Sequence, residues 1–198
     1  MFLNIPADNE TTARIYKSDL DQMGFVMNAS RLWGWRPEIC EAFSALRTKL
    51  MTGSSLSSRE LAILVCTTAA NLGDSYCALA WGNKLAGAAG AAIAAAILRG
   101  LTTDDLTARE RALVVWARKV ARNPSATTAQ DVEELRTAGI CEQEIFEATA
   151  FVAFRYAFSA INDALGARPD WQLAKAAPPE VIDAITFGRP IAERAANA

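Results

Sequence analysis

A chain of 198 residues, 52% of them hydrophobic, is long enough to bury one sizeable core. Its net charge of −2, with no basic block, gives no electrostatic footprint for nucleic acid. It has no histidine, which excludes Ser-His-Asp and Cys-His catalysis and argues against a catalytic zinc site, so any general acid or base must be a carboxylate, Lys, Tyr or Cys.

Residues 1–28 read as an extended arm with one short helix. After Pro37 the run EICEAFSALRTKL has helical spacing, with Ile39, Phe43, Leu46 and Leu50 on one face, and Gly53 ends it. An internal similarity follows. LSSRELAILV (56–65) matches LTARERALVV (106–115) at a shift of 50, and each copy opens with a capping box, Ser57 with Glu60 and Thr107 with Glu110. The hydroxyl caps a free N–H and the glutamate reaches back, which gives Glu60 and Glu110 a structural role.

Tyr76 to Ala86 forms the next helix, with Asp74 or Ser75 as its N-cap after Gly73. Leu85 to Leu98, LAGAAGAAIAAAIL, is too short to span a bilayer and reads as a buried helix of small residues that lets its neighbours approach closely, or as a subunit-interface helix. Further helices are expected over 88–99, 108–122, 128–138 and 142–165, ended by Gly100, Asn123-Pro124, Gly139 and Gly166 in turn. The tail from Arg168 carries Pro178-Pro179 and two more prolines and is expected to pack loosely or reach over a neighbour. No strand is credible and no linker divides the chain. The expectation is a single all-α domain over 1–198, with an arm at 1–28 and a tail at 168–198.

The four cysteines, Cys40, Cys66, Cys77 and Cys141, form no C-x-x-C, and a chain of this size does not need a disulfide framework. The opening MFLNIPADNE lacks the pattern of a secretory signal, so the reducing cytoplasm is the expected compartment.

Cys77 stands in the first turn of its helix, where the helix dipole favours the thiolate. Asp74, three residues earlier, opposes this as a nearby negative charge. A free cysteine can equally be a small buried residue. Asp74 reads as an N-cap or as a base. Trp81, four residues after Cys77 on the same face, reads as a core aromatic or as the wall of an apolar pocket over the thiol. The hydroxyl of Tyr76 can hydrogen-bond a substrate oxygen. Cys66 lies in the apolar run AILVC, as a core residue or, if the two helices form a hairpin, as a resolving thiol. Cys40 and Cys141 read as incidental.

The segment RELAILVCTTAANLGDSYCALAWGNKL (59–85) resembles the active-site region of the carboxymuconolactone decarboxylase family, which includes the AhpD-type alkylhydroperoxidases. There the run reads Glu, a helix, Cys-x-x-Cys, then His four residues on. Here Asp74 replaces the first cysteine, Cys77 matches the second, and Trp81 replaces the histidine. The family's glutamate would fall on Ala62; the nearest carboxylate is Glu60. The stretch 106–166 is similar to the second half of the peroxidase-related branch in its RERA start, N-P turn, DVEELRTAG segment and DALG ending. An Asn-Arg pair common there is Ser159-Ala160 here, with Arg155 one turn earlier.

The resemblance implies an all-helical AhpD-like fold that assembles into homo-oligomers. It implies a peroxidase-related oxidoreductase without cofactor or metal, with Cys77 attacking a hydroperoxide and an external thiol reducing the sulfenic acid. The alternatives are a cofactor-free decarboxylase-type enzyme on a small organic acid or lactone, with Asp74, Tyr76 or Glu60 as acid–base groups, and a non-catalytic oligomeric binding protein. A cation such as Lys84 or Arg155 beside a carboxylate in the pocket would favour the decarboxylase reading.

Overall fold

A computed structural model describes residues 1–194, leaving the last four positions of the predicted tail outside the described residues. The described residues are helical, with no strand. The helices are α1 (Glu10–Met23), α2 (Asn28–Trp33), α3 (Pro37–Thr52), α4 (Ser58–Leu72), α5 (Ser75–Ala89), α6 (Ala91–Leu98), α7 (Ala108–Arg122), α8 (Ala129–Thr137), α9 (Glu142–Ala164), α10 (Trp171–Ala176) and α11 (Pro179–Ala184), with a 3-10 turn at Pro124–Ala126. The apolar run 85–98 is not one helix. Gly90 at φ +94°, ψ 150° takes a conformation open to glycine and separates α5 from α6.

The core is built on α4, whose residues from Leu61 to Ala69 are all buried, packed against α5, α6, α7 and α9. Apart from Thr67 and Thr68 this stretch is apolar, which suits a helix surrounded on all sides. Fully buried side chains such as Ile63, Leu64 and Leu113 each contribute about 1.5–3 kcal/mol.

The internal similarity has a structural counterpart. Both capping boxes form: Ser57 and Thr107 each cap an N–H, and Glu60 and Glu110 each accept from the backbone N–H of the cap. The neighbouring arginines then cross over. Arg59 Nε donates to Glu110 Oε1 at 2.5 Å and Arg109 Nε donates to Glu60 Oε1 at 2.6 Å. The pairing is reciprocal, so α4 and α7 meet as two copies of one local motif. Arg109 also reaches Glu144 at 2.6 Å and the Gly139 carbonyl at 2.7 Å, tying in the start of α9.

Two expectations need correction. The predicted apolar stripe of α3 turns inward only in part: Phe43 packs against Trp33 and Phe158 and Leu50 against the main core, but Ile39 is 47% and Leu46 48% exposed. A neighbouring face carries Cys40, Ser44, Arg47, Thr48 and Met51, spaced as one helical stripe. That face borders a cavity rather than the packed core.

The tail, for its part, is not loose. Leu173, Val181 and Ala184 are buried, α11 packs on α6 and α5, and Arg189 offers its carbonyl to Ser75 Oγ at 2.7 Å. Pro178 and Pro179 start α11, where proline's fixed φ is compatible with the helix. The tail therefore braces the N-terminus of α5. Among the described residues, no helix is long and apolar enough to cross a membrane.

Candidate functional site

The start of α5 is set by three residues. Gly73 ends α4 at φ +73°, Asp74 turns the chain, and Ser75 is the first residue of α5. Asp74 is fully buried and is the N-cap: its Oδ1 accepts from Tyr76 N at 2.8 Å and Cys77 N at 3.0 Å. Its other oxygen, Oδ2, accepts from Ser159 Oγ of α9 at 2.5 Å. The same Ser159 hydroxyl lies 3.8 Å from Cys77 Sγ. A carboxylate, a hydroxyl and a thiol thus stand in a row inside the protein.

Cys77 is 3% exposed, yet it lines a cavity of about 680 Å³ enclosed by α1, α2, α3, α5 and α9. Burial first, and then Asp74, push its thiol well above the ordinary range; Arg155 and Ser159 pull it back. Position in the first helical turn therefore does not make Cys77 a ready thiolate. The adjacent carboxylate and dry surroundings oppose the dipole.

The cavity's other chemical groups arrive on regular helical spacings. Cys77, Ala80, Trp81 and Lys84 form one stripe of α5; Arg155 and Phe158 come from α9; Arg47 comes from α3. Arg155 is 4% exposed and lies over Trp81 at 4.5 Å and Phe151 at 5.3 Å from the ring centroids. Burial pulls its guanidinium down to about 10. Lys84, exposed at the mouth, holds its ammonium 4.4 Å from the centroid of the Trp81 ring.

The remaining predicted residues are placed differently. Tyr76 lines the cavity, but its hydroxyl already donates to Asp170 and accepts from Ala29 N at 3.1 Å, and burial holds it well above its ordinary range. It has no donor left for a substrate. Glu60 does not border the cavity; its carboxylate is committed to the α4 cap and to Arg109. Cys66 is also absent from the cavity wall, because it sits mid-way along the fully enclosed α4, where burial raises its thiol. The second thiol facing the cavity is Cys40 on α3, pushed up to about 11 by burial. Cys141 is exposed.

Ser159, Arg47 and Cys40 are the groups that sequence reading underweighted. Ser159 was visible as a departure from the family's Asn; Arg47 and Cys40 carried no signal except a four- and three-residue polar spacing on α3. Among the described residues no three His, Cys, Asp or Glu side chains converge as a metal site.

No protein-family profile and no curated protein matches the chain. Solved structures do. A peroxidase-related protein of uncharacterised function with an alkylhydroperoxidase AhpD core, from Ralstonia eutropha JMP134, superposes with a TM-score of 0.78 at 25% identity over 87% of this chain and 93% of that one. A peroxidase-related protein from Silicibacter sp. TM1040, likewise uncharacterised, gives 0.75 at 23% identity over 85% and 91%. A cysteine-to-alanine variant of the debrominase Bmp8, in complex with 2,3,4-tribromopyrrole, gives 0.75 at 16% identity over 93% and 98%, which is a likeness of fold. Shared architecture over nearly the whole length of both chains gives this protein the AhpD-like all-helical fold, and the likeness to the Ralstonia protein supports an AhpD-like, peroxidase-related assignment.

Proposed function

We propose that the protein is a thiol-dependent oxidoreductase that reduces a small hydroperoxide at Cys77. The observation that carries this reading is the Ser159 hydroxyl, set 2.5 Å from the Asp74 carboxylate and 3.8 Å from the Cys77 sulfur. Without histidine, the site needs another proton acceptor, and this row supplies one. As substrate approaches, the thiol proton passes to Ser159 Oγ and the serine's own proton passes to Asp74. The buried Arg155 guanidinium offsets the negative charge that forms on sulfur.

The thiolate attacks the outer peroxide oxygen, the O–O bond breaks, and Cys77 becomes a sulfenic acid. The departing alkoxide takes back the proton held by Asp74 through Ser159 and leaves as an alcohol. Two equivalents of an external thiol complete the cycle: the first forms a mixed disulfide and releases water, and the second releases the Cys77 thiol and a low-molecular-weight disulfide. Self-association belongs to the same proposal, supported by Phe146, Tyr156 and Ile161, which α9 leaves exposed.

The test is hydrogen peroxide and alkyl hydroperoxide consumption with excess thiol, for the protein and for Cys77→Ser, with the oxidised form read by mass spectrometry. Consumption that disappears in the variant, with sulfenic acid at Cys77, is the expected result. No consumption, with Cys77 unmodified under peroxide, sinks the reading and leaves the cofactor-free organic-acid enzyme, whose supporting observation is the cationic lining described next.

A further inference from the structure

Besides Arg14 of α1, which pairs with Glu41, three cations line the cavity: Arg47 on α3, Lys84 on α5 and Arg155 on α9. Among the described residues none of them forms an ion pair. Arg155 is the sharpest case. It is 4% exposed, and its Nε and Nη2 are buried without any hydrogen-bond partner. A guanidinium with unused donors in a dry site is costly unless an anion meets it. The cations also work against one another: Lys84 is lowered by desolvation first and then by Arg155 and Arg47.

The nearby carboxylates do not relieve this. Asp74 is committed to the N-terminus of α5 and to Ser159. Asp19 accepts from Met27 N at 2.9 Å, and Glu41 is paired with Arg14 at 2.9 Å. The remaining wall is largely apolar and aromatic, with Trp33, Trp81, Phe158, Met27 and Met51. Positive head-group donors against an aromatic wall define an amphipathic anion.

We infer that this cavity binds a small organic carboxylate, with its head group held by Arg155, Arg47 and Lys84 and its apolar body against Trp33, Trp81 and Phe158. The guanidinium fork suits carboxylate and phosphate alike, and the aromatic wall selects the ligand with an apolar body. The site does not depend on the redox chemistry of Cys77.

The experiment is isothermal titration of the full chain with benzoate, hexanoate, benzamide and inorganic phosphate. One carboxylate per chain should bind, with benzamide, the uncharged match of benzoate, weaker by about tenfold or more. Lys84→Met and Arg47→Met, both on partly exposed side chains, should each weaken carboxylate binding about three- to tenfold with an unchanged melting curve. Arg155→Met should abolish it; should that variant not fold, the other two decide. The titration contains neither peroxide nor thiol, which separates this result from any failure of the peroxidase reading. No heat with either carboxylate at millimolar concentration, equal affinity for benzoate and benzamide, tighter binding of phosphate than of both carboxylates, or full affinity in both surface variants would each overturn the inference.

Discussion

Replacing Asp74 by Asn should make Cys77 more reactive toward an alkylating agent while slowing peroxide reduction. The substitution keeps the fold: the amide oxygen still accepts from Tyr76 N and Cys77 N, and the amide N–H can donate to Ser159 Oγ. What changes is charge. The two contacts of Ser159 place the carboxylate oxygen within about 6 Å of the sulfur, where at an effective dielectric constant of about 20 the repulsion between like charges is roughly 3 kcal/mol. Its removal should raise the thiolate population at neutral pH about 100-fold, and the rate of iodoacetamide alkylation with it. Peroxide turnover should fall nonetheless, because asparagine cannot take the thiol proton or return it to the leaving alkoxide. Alkylation followed by mass spectrometry at Cys77, beside a peroxide assay on the same preparation, checks both arms. An alkylation rate that is unchanged or lower, with the melting temperature preserved, would refute the electrostatic account of this thiol. Asp74→Ala serves as the contrast. It loses the cap and strands the Ser159 hydroxyl, costing about 3 kcal/mol, or roughly 6–12 °C in melting temperature.

Four further outcomes test the fold around the site. Glu144 is held down to about 2, by its hydrogen bond to Arg109 before other causes, against 4.5 when free. The stability this supplies, at most about 3 kcal/mol, is full above pH 4.5 and is lost as pH falls towards 2; acid unfolding curves should show it, and Arg109→Met should flatten that limb. Asp163 has the opposite sign: burial and then Asp74 raise it to about 6, so ionising it costs stability as pH rises from 4 towards 6 and above, and Asp163→Asn should melt higher than the unaltered chain at pH 7 and not at pH 4. A Cβ added at Gly82 would lie 2.7 Å from Val181 Cγ1 and 3.1 Å from Leu98 Cδ1, so Gly82→Ala should destabilise by about 1–3 kcal/mol in urea unfolding, and no change would mean that α11 is not docked there. Gly188 has φ +74°, and its added Cβ would collide with Gly73 O, so Gly188→Ala should free the tail from α5 and expose residues 185–194 to limited proteolysis.

Much of the architecture was legible in local chemistry. Ser57 with Glu60, Thr107 with Glu110, and glycines after 72 and 138 mark helix ends that the structure places within a residue or two, because caps act on neighbouring backbone groups. The absence of histidine and the spacing of Asp74, Cys77 and Trp81 were likewise complete statements about which groups α5 could offer. The sequence could not show that α3 has a cavity-lining face. Its apolar spacing marked Phe43 and Leu50, which pack inward, but nothing in it showed that the stripe from Cys40 to Met51 lines a cavity. Nor could it separate Cys66 from Cys40, or Glu60 from Asp74, as members of the site; enclosure of α4 and the crossed pairs with Arg59 and Arg109 decided that. The Asp74–Ser159–Cys77 row and the meeting of Arg47, Lys84 and Arg155 join residues up to 108 positions apart, and such juxtapositions depend on how helices pack, which no local pattern of residues records.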